Sequence, residues 1–213
     1  MSRLVECLKN VGILPVINIK NNKIETTLME ALEKTPIKCL EVTLRSDYSC
    51  EAIKNIKAKY PDMIVGAGTV MNLADYAKAR ACGADYIVSP GLDAELVMKC
   101  MEDGIPTVPG CATPSEIMLA KNLGCDVVKF FPAELSGGTA ALKLYEGAFQ
   151  GMLFLPTGGI TLDNIEGYFK AKNVLACGGS FMANEKMLSE GDGENVTKKC
   201  LELIEQYKKA RGE

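Results

Sequence analysis

Histidine is absent from the 213-residue chain, and its absence excludes several classes of catalytic site. A Ser-His-Asp hydrolase, a Cys-His protease and a His-ligated zinc site all need an imidazole. Any acid–base chemistry must therefore come from Glu, Asp, Lys, Tyr, Cys or water.

A strong charge of one sign, a C-x-x-C pair and a long apolar run are also missing. The formal net charge is −3, which does not suggest a basic nucleic-acid-binding protein. The nine cysteines are scattered, so we interpret them as small buried residues or bystanders in a reducing cytosol, and not as a zinc ribbon or a thioredoxin-like motif. No apolar run could span a membrane, and the first residues do not read as a signal peptide. We therefore expect a cytoplasmic protein with no membrane partner.

Eight short apolar or β-rich segments recur along the chain, and each is followed by a stretch that carries helix signals. The segments start about 20 to 26 residues apart, which fits one strand, one helix and two short loops per interval. No linker or change in composition divides the chain, so we expect residues 1–213 to form a single domain. The predicted strand segments are 13–19, 39–44, 64–69, 86–90, 106–111, 127–132, 153–158 and 175–180.

Several of the helices have predicted ends. Asn72 is a suitable N-cap and Gly83 a suitable residue just past the C-terminus of the helix between them. Thr113 and Glu116 have the spacing of a capping box. After the second strand segment, Ser46 precedes a helical stretch that stops before Pro61.

Eight strand–helix alternations are typical of two α/β architectures, a (β/α)₈ barrel and a doubly wound open sheet. Eight units favour closure into a barrel. A doubly wound nucleotide-binding sheet usually has a glycine fingerprint after its first strand, and the sequence NIKNNKIE at that place has no glycine. We therefore predict an α/β fold, a (β/α)₈ TIM barrel with a short N-terminal helix.

Lys129 lies inside the apolar segment VVKFFP, which is an unusual place for a charged residue. A strand lysine usually lies on a solvent-exposed edge, but a closed barrel has no edge. Burial disfavours the charged form of an amine, and a neutral amine in an apolar pocket is the nucleophile that a Schiff-base mechanism needs. Lys129 is therefore a candidate nucleophile.

Glu41, Thr43 and Arg45 alternate along one face of the second strand segment. In a parallel barrel both faces of a strand are buried, so a carboxylate on this strand needs a function or a partner. Glu41 and Lys129 together form an amine–carboxylate pair that suits carbonyl chemistry without histidine or metal. Arg45 offers a bidentate clamp for an anion.

Glycine pairs follow the last two strand segments, in PTGGI (156–160) and in CGGS (177–180). Backbone N–H groups at these two places of a (β/α)₈ barrel commonly bind phosphate. The pattern therefore predicts a phosphate-binding site.

Seven motifs occur along the chain in the order in which one enzyme family carries them: LEVTLR (40–45), VGAGTV (65–70), SPG (89–91), PGCATPSE (109–116), KFFPAE (129–134), PTGGI (156–160) and GGS (178–180). On these motifs the chain resembles the 2-dehydro-3-deoxy-phosphogluconate (KDPG) and 4-hydroxy-2-oxoglutarate (KHG) aldolases, the class I aldolases of the Entner–Doudoroff pathway. The resemblance runs from the first strand segment to the eighth.

The resemblance implies a homotrimer that uses no metal and no organic cofactor and acts on a small 2-keto acid. KDPG would be cleaved to pyruvate and glyceraldehyde 3-phosphate, and KHG to pyruvate and glyoxylate. Lys129 would form the Schiff base and Glu41 would be the general acid–base. The substrate-binding residues would be Arg45 and Thr69 for the pyruvyl carboxylate, Pro90 and Phe131 for the pyruvyl pocket, and Thr157, Gly158, Gly159 and Ser180 for the phosphate.

Three alternatives stay open at this point. A phosphogalactonate-type aldolase tends to carry Asn at the arginine of LEVTLR, and Arg45 favours the gluconate type instead. A sugar-phosphate isomerase or epimerase on the same barrel would not require Lys129, and a non-catalytic barrel would form no imine with pyruvate. Many relatives also carry a basic residue at the end of the first strand, where this chain has Asn18 with Lys20 nearby, so the strength of phosphate recognition is not fixed by the sequence.

Overall fold

The structure, a computed structural model, describes residues 2–212 and has parallel strands that alternate with helices. The strands are β1 (Ile13–Ile17), β2 (Cys39–Thr43), β3 (Ile64–Gly68), β4 (Tyr86–Val88), β5 (Thr107–Val108), β6 (Gly110–Cys111), β7 (Val127–Phe130), β8 (Leu153–Pro156) and β9 (Cys177–Gly179). The helices are α1 (Ser2–Val11), α2 (Asn22–Glu33), α3 (Ser49–Lys59), α4 (Leu73–Ala81), α5 (Ala94–Glu102), α6 (Pro114–Asn122), α7 (Gly138–Ala148), α8 (Ile165–Lys170), α9 (Glu185–Glu190) and α10 (Gly193–Arg211).

The strands close into a barrel. β5 and β6 occupy one strand position, because only Pro109 separates them and they pair with β4 and β7 respectively. β9 pairs with β1, and a bridge between Thr157 and Gly178 joins the end of β8 to β9. All of these pairs are parallel. The predicted (β/α)₈ barrel is therefore confirmed, and the open doubly wound sheet is excluded.

Two apolar layers hold the barrel together, because alternate residues of each strand face opposite sides. The inward-facing layer includes Leu14, Tyr86 and Val127, and the outward-facing layer packs the strands against the surrounding helices. Leu4 and Leu8 of α1 are buried in the inward-facing layer. The short N-terminal helix therefore covers the N-terminal end of the barrel and leaves the carboxyl ends of the strands for the site.

The predicted helix signals at α4 and α6 are confirmed. Asn72 caps α4 by accepting a hydrogen bond of 2.9 Å from the backbone N–H of Asp75, and Gly83 follows with φ +86°. Thr113 and Glu116 form the capping box of α6. The prediction at Ser46 was less accurate, because α3 begins only at Ser49.

The interpretation of all nine cysteines as buried or bystander residues was wrong for one pair. Cys50 at the start of α3 and Cys82 after α4 form a disulfide with a Cα–Cα distance of 5.2 Å. These two helices are neighbours on the outside of the barrel, so their ends come together although 32 residues separate the cysteines in sequence. Six of the other seven cysteines are buried, and Cys7 is half-buried.

Among residues 2–212, no helix is long and apolar enough to cross a bilayer. Within the same range, no group of three or more Cys, Asp or Glu side chains is arranged to hold a metal ion.

Candidate active site

Lys129 and Glu41 meet inside the barrel, near the carboxyl ends of their strands. The Nζ atom of Lys129 on β7 lies 3.4 Å from Oε1 of Glu41 on β2. The Glu41 side chain is fully buried, and the Lys129 side chain is 8% exposed. Strand alternation explains the pairing, because Val127 and Lys129 face inward while Val128 and Phe130 face the helices. An amine and a carboxylate are thus in contact within the low-dielectric interior of the barrel.

Glu41 fits inside the barrel because β3 carries two glycines. A Cβ atom at Gly68 would lie 2.0 Å from Oε1 of Glu41, and a Cβ atom at Gly66 would overlap the ring of Tyr86. The Tyr86 hydroxyl donates a hydrogen bond of 2.9 Å to the Leu40 carbonyl. Oε2 of Glu41 is buried and has no hydrogen-bond partner in residues 2–212. That oxygen is available to accept a proton.

Phe131 lies near the Lys129 amine, and Pro90 packs against the strand that neighbours β7. Nζ of Lys129 lies 5.3 Å from the centre of the Phe131 ring, which allows a cation–π contact when the amine is charged. Gly110 pairs with Lys129 across the β6–β7 ladder, and a Cβ atom at Gly110 would lie 2.3 Å from the backbone of Pro90. Gly110 therefore lets Pro90 approach the lysine strand closely.

Thr69 follows β3 directly and has a strained backbone. Its φ of +64° is the only positive φ of a non-glycine residue among residues 2–212. A β-branched residue in this region costs about 1–3 kcal/mol, and such strain concentrates at functional sites. The left-handed turn places Thr69 one residue beyond Gly68, at the carboxyl end of β3.

A cavity of about 360 Å³ opens at the mouth of the barrel. It brings together Arg45, the loop 157–159 and Ser180, which are five of the ten predicted site residues. Arg45 is exposed there and also borders a second cleft with Lys20. The other five predicted residues, Lys129, Glu41, Thr69, Pro90 and Phe131, do not line this cavity; the amine and carboxylate lie deeper in the barrel.

The loop 157–159 takes its shape from its glycines. Gly158 and Gly159 have φ values of +93° and +81°, a region that glycine adopts without the strain that other residues incur. Thr157 is 8% exposed, and its backbone N–H donates to the Phe130 carbonyl at 3.0 Å. The loop is thus fixed to the end of β7, the strand that carries Lys129. Successive N–H groups in such a loop can bind an anion.

Six further residues line the same cavity: Ile160, Gly178 and Gly179, which lie within the two glycine motifs, and Val16, Phe181 and Asn184, which sequence reasoning missed. Asn184 caps α9 by accepting from the Met187 N–H at 3.0 Å. The sequence did carry a signal for Asn184, because an Asn directly before a helical stretch is a strong N-cap pattern. Val16 and Phe181 are apolar residues among many and carry no such signal.

Known proteins are similar to this chain over most of its length. The model of the family described as "KDPG and KHG aldolase" matches residues 4–199. The 2-dehydro-3-deoxy-phosphogluconate aldolase of Treponema pallidum is 40% identical over 197 residues, which are 92% of this chain and 94% of that protein.

Two solved structures are similar over almost their whole length. One is KDPG aldolase from Legionella pneumophila with pyruvate captured at low pH as a covalent carbinolamine intermediate; it has a TM-score of 0.89 and 35% identity, and the match covers 93% of this chain and 97% of that one. The other is the 2-keto-3-deoxy-6-phosphogluconate aldolase of Zymomonas mobilis with 3-phosphoglycerate, with a TM-score of 0.85 and 34% identity over 95% of this chain and 96% of that one.

Proposed function

Because the chain belongs to the KDPG and KHG aldolase family of class I pyruvate aldolases, we propose that it cleaves KDPG to pyruvate and glyceraldehyde 3-phosphate, with Lys129 as its Schiff-base residue. The observation that carries the proposal is the Lys129 amine 3.4 Å from the buried Glu41 carboxylate. No other lysine in residues 2–212 is buried in the barrel interior.

The first chemical step uses the Lys129 amine. The neutral amine adds to the C2 ketone, and loss of water from the carbinolamine gives a protonated imine. This imine attracts the electron pair of the C3–C4 bond. Formation of the imine needs proton transfers at the nitrogen and at the departing oxygen, and the Glu41 carboxyl, 3.4 Å from the amine, is the group proposed to carry them.

Glu41 then acts as the general base for cleavage. Its carboxylate takes the proton of the C4 hydroxyl, the C3–C4 bond breaks, and the aldehyde leaves while its former bond pair forms an enamine of pyruvate. Protonation of that enamine at C3 by the Glu41 carboxyl restores the imine. Hydrolysis of the imine releases pyruvate and returns the free amine.

The binding residues orient this chemistry. Arg45 and Thr69 at the mouth hold the pyruvyl carboxylate and so direct C2 towards the amine. Pro90 and Phe131 give the pyruvyl group an apolar surround. The N–H groups of Thr157, Gly158 and Gly159, together with Ser180, hold the phosphate at the other end of the substrate.

The choice of KDPG over KHG rests on the cavity at the mouth. Gly158, Gly159 and Ser180 line space beyond the lysine, which suits the phosphate of a six-carbon substrate. KHG, which has no phosphate, is proposed as a poorer substrate of the same site. A phosphogalactonate-type substrate remains the rival within this mechanism, and Arg45 favours the gluconate type.

We also propose a homotrimer, as the resemblance implies. Large apolar side chains are exposed on neighbouring helices of the barrel, including Met98 at 49% and Met118 at 56%. An apolar surface of this kind is typical of an interface. Sedimentation should give three times the 23.0 kDa chain mass, and a monomer in solution would overturn this part of the proposal.

Borohydride trapping tests the proposed chemistry. The protein is incubated with pyruvate and reduced with sodium borohydride, and the adduct is mapped by peptide mass spectrometry. We expect the adduct on Lys129 and its loss in Lys129→Ala. Lys57→Ala is the matched control, because Lys57 also pairs with a carboxylate, that of Asp85 at 2.8 Å, but lies outside the barrel interior. A folded protein with no adduct would refute the Schiff-base mechanism.

A further inference from the structure

The loop 157–159 rests on the segment that follows β7. The backbone N–H of Ala133 donates to the Thr157 carbonyl at 2.9 Å, and that of Glu134 donates to the Gly158 carbonyl at 3.2 Å. The side chain of Glu134 lies directly against Gly159, since a Cβ atom there would be 2.6 Å from Cβ of Glu134. The position of the Glu134 side chain therefore limits how the loop can sit.

Tyr168 holds the Glu134 carboxylate in place. Its hydroxyl donates a hydrogen bond to Oε1 of Glu134. Tyr168 is a fully buried residue of α8, whereas Glu134 is exposed. Burial, and then the Glu134 carboxylate, raise the pKa of the Tyr168 phenol, so the phenol remains a donor at neutral pH. Without this bond, an exposed carboxylate would be free to change rotamer.

Gly138 leaves the space in which this bond forms. A Cβ atom at Gly138 would lie 3.1 Å from Oε1 of Glu134 and 3.3 Å from the Tyr168 hydroxyl. The contact is thus enclosed by the first turn of α7 as well as by α8.

Asn164 holds the other side of the loop. Its Nδ2 donates to the Gly159 carbonyl at 3.0 Å, and its Oδ1 accepts from the Thr161 N–H at 2.8 Å. Asn164 precedes α8 and Tyr168 lies four residues later, so both side chains project from the same face of one helical turn. One helix therefore fixes the loop through two contacts, one direct and one through Glu134.

We propose that Glu134, held by Tyr168, is a positioning residue that sets the N–H groups of Gly158 and Gly159 for the phosphate and so gives the enzyme its preference for a phosphorylated substrate. This inference rests on the proposed function, because it takes the phosphate to bind at this loop. Neither residue touches the reacting atoms. A Glu134 carboxylate released from Tyr168 would both loosen the loop and place a mobile negative charge beside the phosphate.

The test compares two substrates that differ only in the phosphate, KDPG and its unphosphorylated parent 2-dehydro-3-deoxygluconate. The variants are Tyr168→Phe, Glu134→Ala and Glu134→Gln, of which the last keeps an oxygen that can accept from the phenol. Tyr76→Phe is the matched control, since Tyr76 is also a buried tyrosine whose hydroxyl donates to a carboxylate, that of Asp103 at 2.6 Å, away from the barrel mouth.

We expect Tyr168→Phe and Glu134→Ala to raise KM for KDPG about tenfold, the scale set by one lost hydrogen bond. Their kcat/KM for the unphosphorylated substrate should change less than twofold. Glu134→Gln should recover most of the affinity that Glu134→Ala loses, and Tyr76→Phe should match the wild type.

Borohydride trapping of pyruvate on each variant separates this proposal from the proposed function. An equal loss on both substrates, or a loss of the pyruvate adduct in Tyr168→Phe, would show that the pair only stabilises the fold and would overturn the positioning role. Unchanged KM for KDPG in Tyr168→Phe and Glu134→Ala would also overturn it. If the wild-type protein neither cleaves KDPG nor traps pyruvate, the proposed function itself fails, and this inference fails with it.

Discussion

Replacing Gly68 by alanine should disable Glu41 without touching Lys129. The added Cβ atom would lie 2.0 Å from Oε1 and 2.7 Å from Cδ of Glu41. Since Gly68 is on a barrel strand, its backbone cannot withdraw easily, and the carboxylate must move instead. Glu41 is fully buried and already packed, so its new position cannot preserve the 3.4 Å contact with the Lys129 amine.

The size of the effect follows from the distances. An ordinary contact to a Cβ atom begins near 3.4 Å, so the carboxylate must retreat by about 1.4 Å, and a displacement of about 1 Å at a reacting group costs roughly 100-fold in rate. We therefore expect kcat for KDPG to fall about 100-fold. Overpacking of the core should also lower the free energy of unfolding by about 1–3 kcal/mol.

The assay couples pyruvate release to lactate dehydrogenase and compares Gly68→Ala with Glu41→Gln and the double variant. Because both changes act on one carboxylate, the double variant should be no slower than Glu41→Gln alone. Trapping of added pyruvate by borohydride should persist on Lys129. Gly147→Ala is the control, because a Cβ atom at Gly147 meets nothing within 4 Å.

Two results would refute this reasoning. A folded Gly68→Ala enzyme with wild-type kcat would mean that the Glu41 carboxylate is not needed where the structure places it. Rate losses that multiply in the double variant would mean that Gly68 acts by some route other than Glu41.

Three further predictions concern other parts of the molecule. Thr69→Gly should raise the free energy of unfolding by about 1 kcal/mol, because it relieves the strained backbone at φ +64°, and it should also raise KM for KDPG. A urea melt measures the stability and steady-state kinetics measure KM. A less stable variant would contradict the strain argument. Cys50→Ser should lower the free energy of unfolding by about 3–4 kcal/mol, the entropy of closing a 32-residue loop. Dithiothreitol should lower the urea midpoint of the wild type and leave that of the variant unchanged. A wild-type midpoint that does not respond to dithiothreitol would mean that the disulfide is absent in solution. A hydrogen bond from the Ala112 N–H lowers the pKa of the Glu116 carboxyl. The stability that Glu116 contributes is therefore present above the ordinary glutamate pKa and is lost as the pH falls through the lowered pKa. Glu116→Gln should remove part of the loss of stability on acidification, and an unchanged pH profile of Tm would contradict this assignment.

The fold could be predicted because each strand segment repeats the same physical requirement. A strand of a closed parallel barrel is buried on both faces, so it appears in the sequence as a short apolar run. That rule also made Lys129 and Glu41 stand out as polar exceptions. The two residues are 88 positions apart in sequence. Their side chains both point into the barrel, as strand alternation predicts, and this brings the Lys129 Nζ atom within 3.4 Å of the Glu41 carboxylate.

The glycines show where the sequence was insufficient. Gly66 and Gly68 leave space in the structure for the Tyr86 ring and the Glu41 carboxyl, and the motif VGAGTV does not indicate which side chains fill that space. A glycine shows that room is needed without showing what occupies it. The Cys50–Cys82 pair was missed for a similar reason, since contacts between the outer helices depend on the barrel geometry and leave no local pattern.

Because α1 covers one end of the barrel, both products of the proposed reaction would leave by the same end. With Leu4 and Leu8 buried at the N-terminal end, access to the interior is from the carboxyl ends of the strands. In the proposed reaction the phosphate end of the aldehyde would lie at the mouth, and pyruvate would stay bonded to the deeper Lys129 amine. We therefore expect aldehyde release to precede pyruvate release, and in the reverse direction we expect pyruvate to bind before the aldehyde. Saturating aldehyde should accordingly obstruct pyruvate entry, and synthesis should show substrate inhibition by the aldehyde alone.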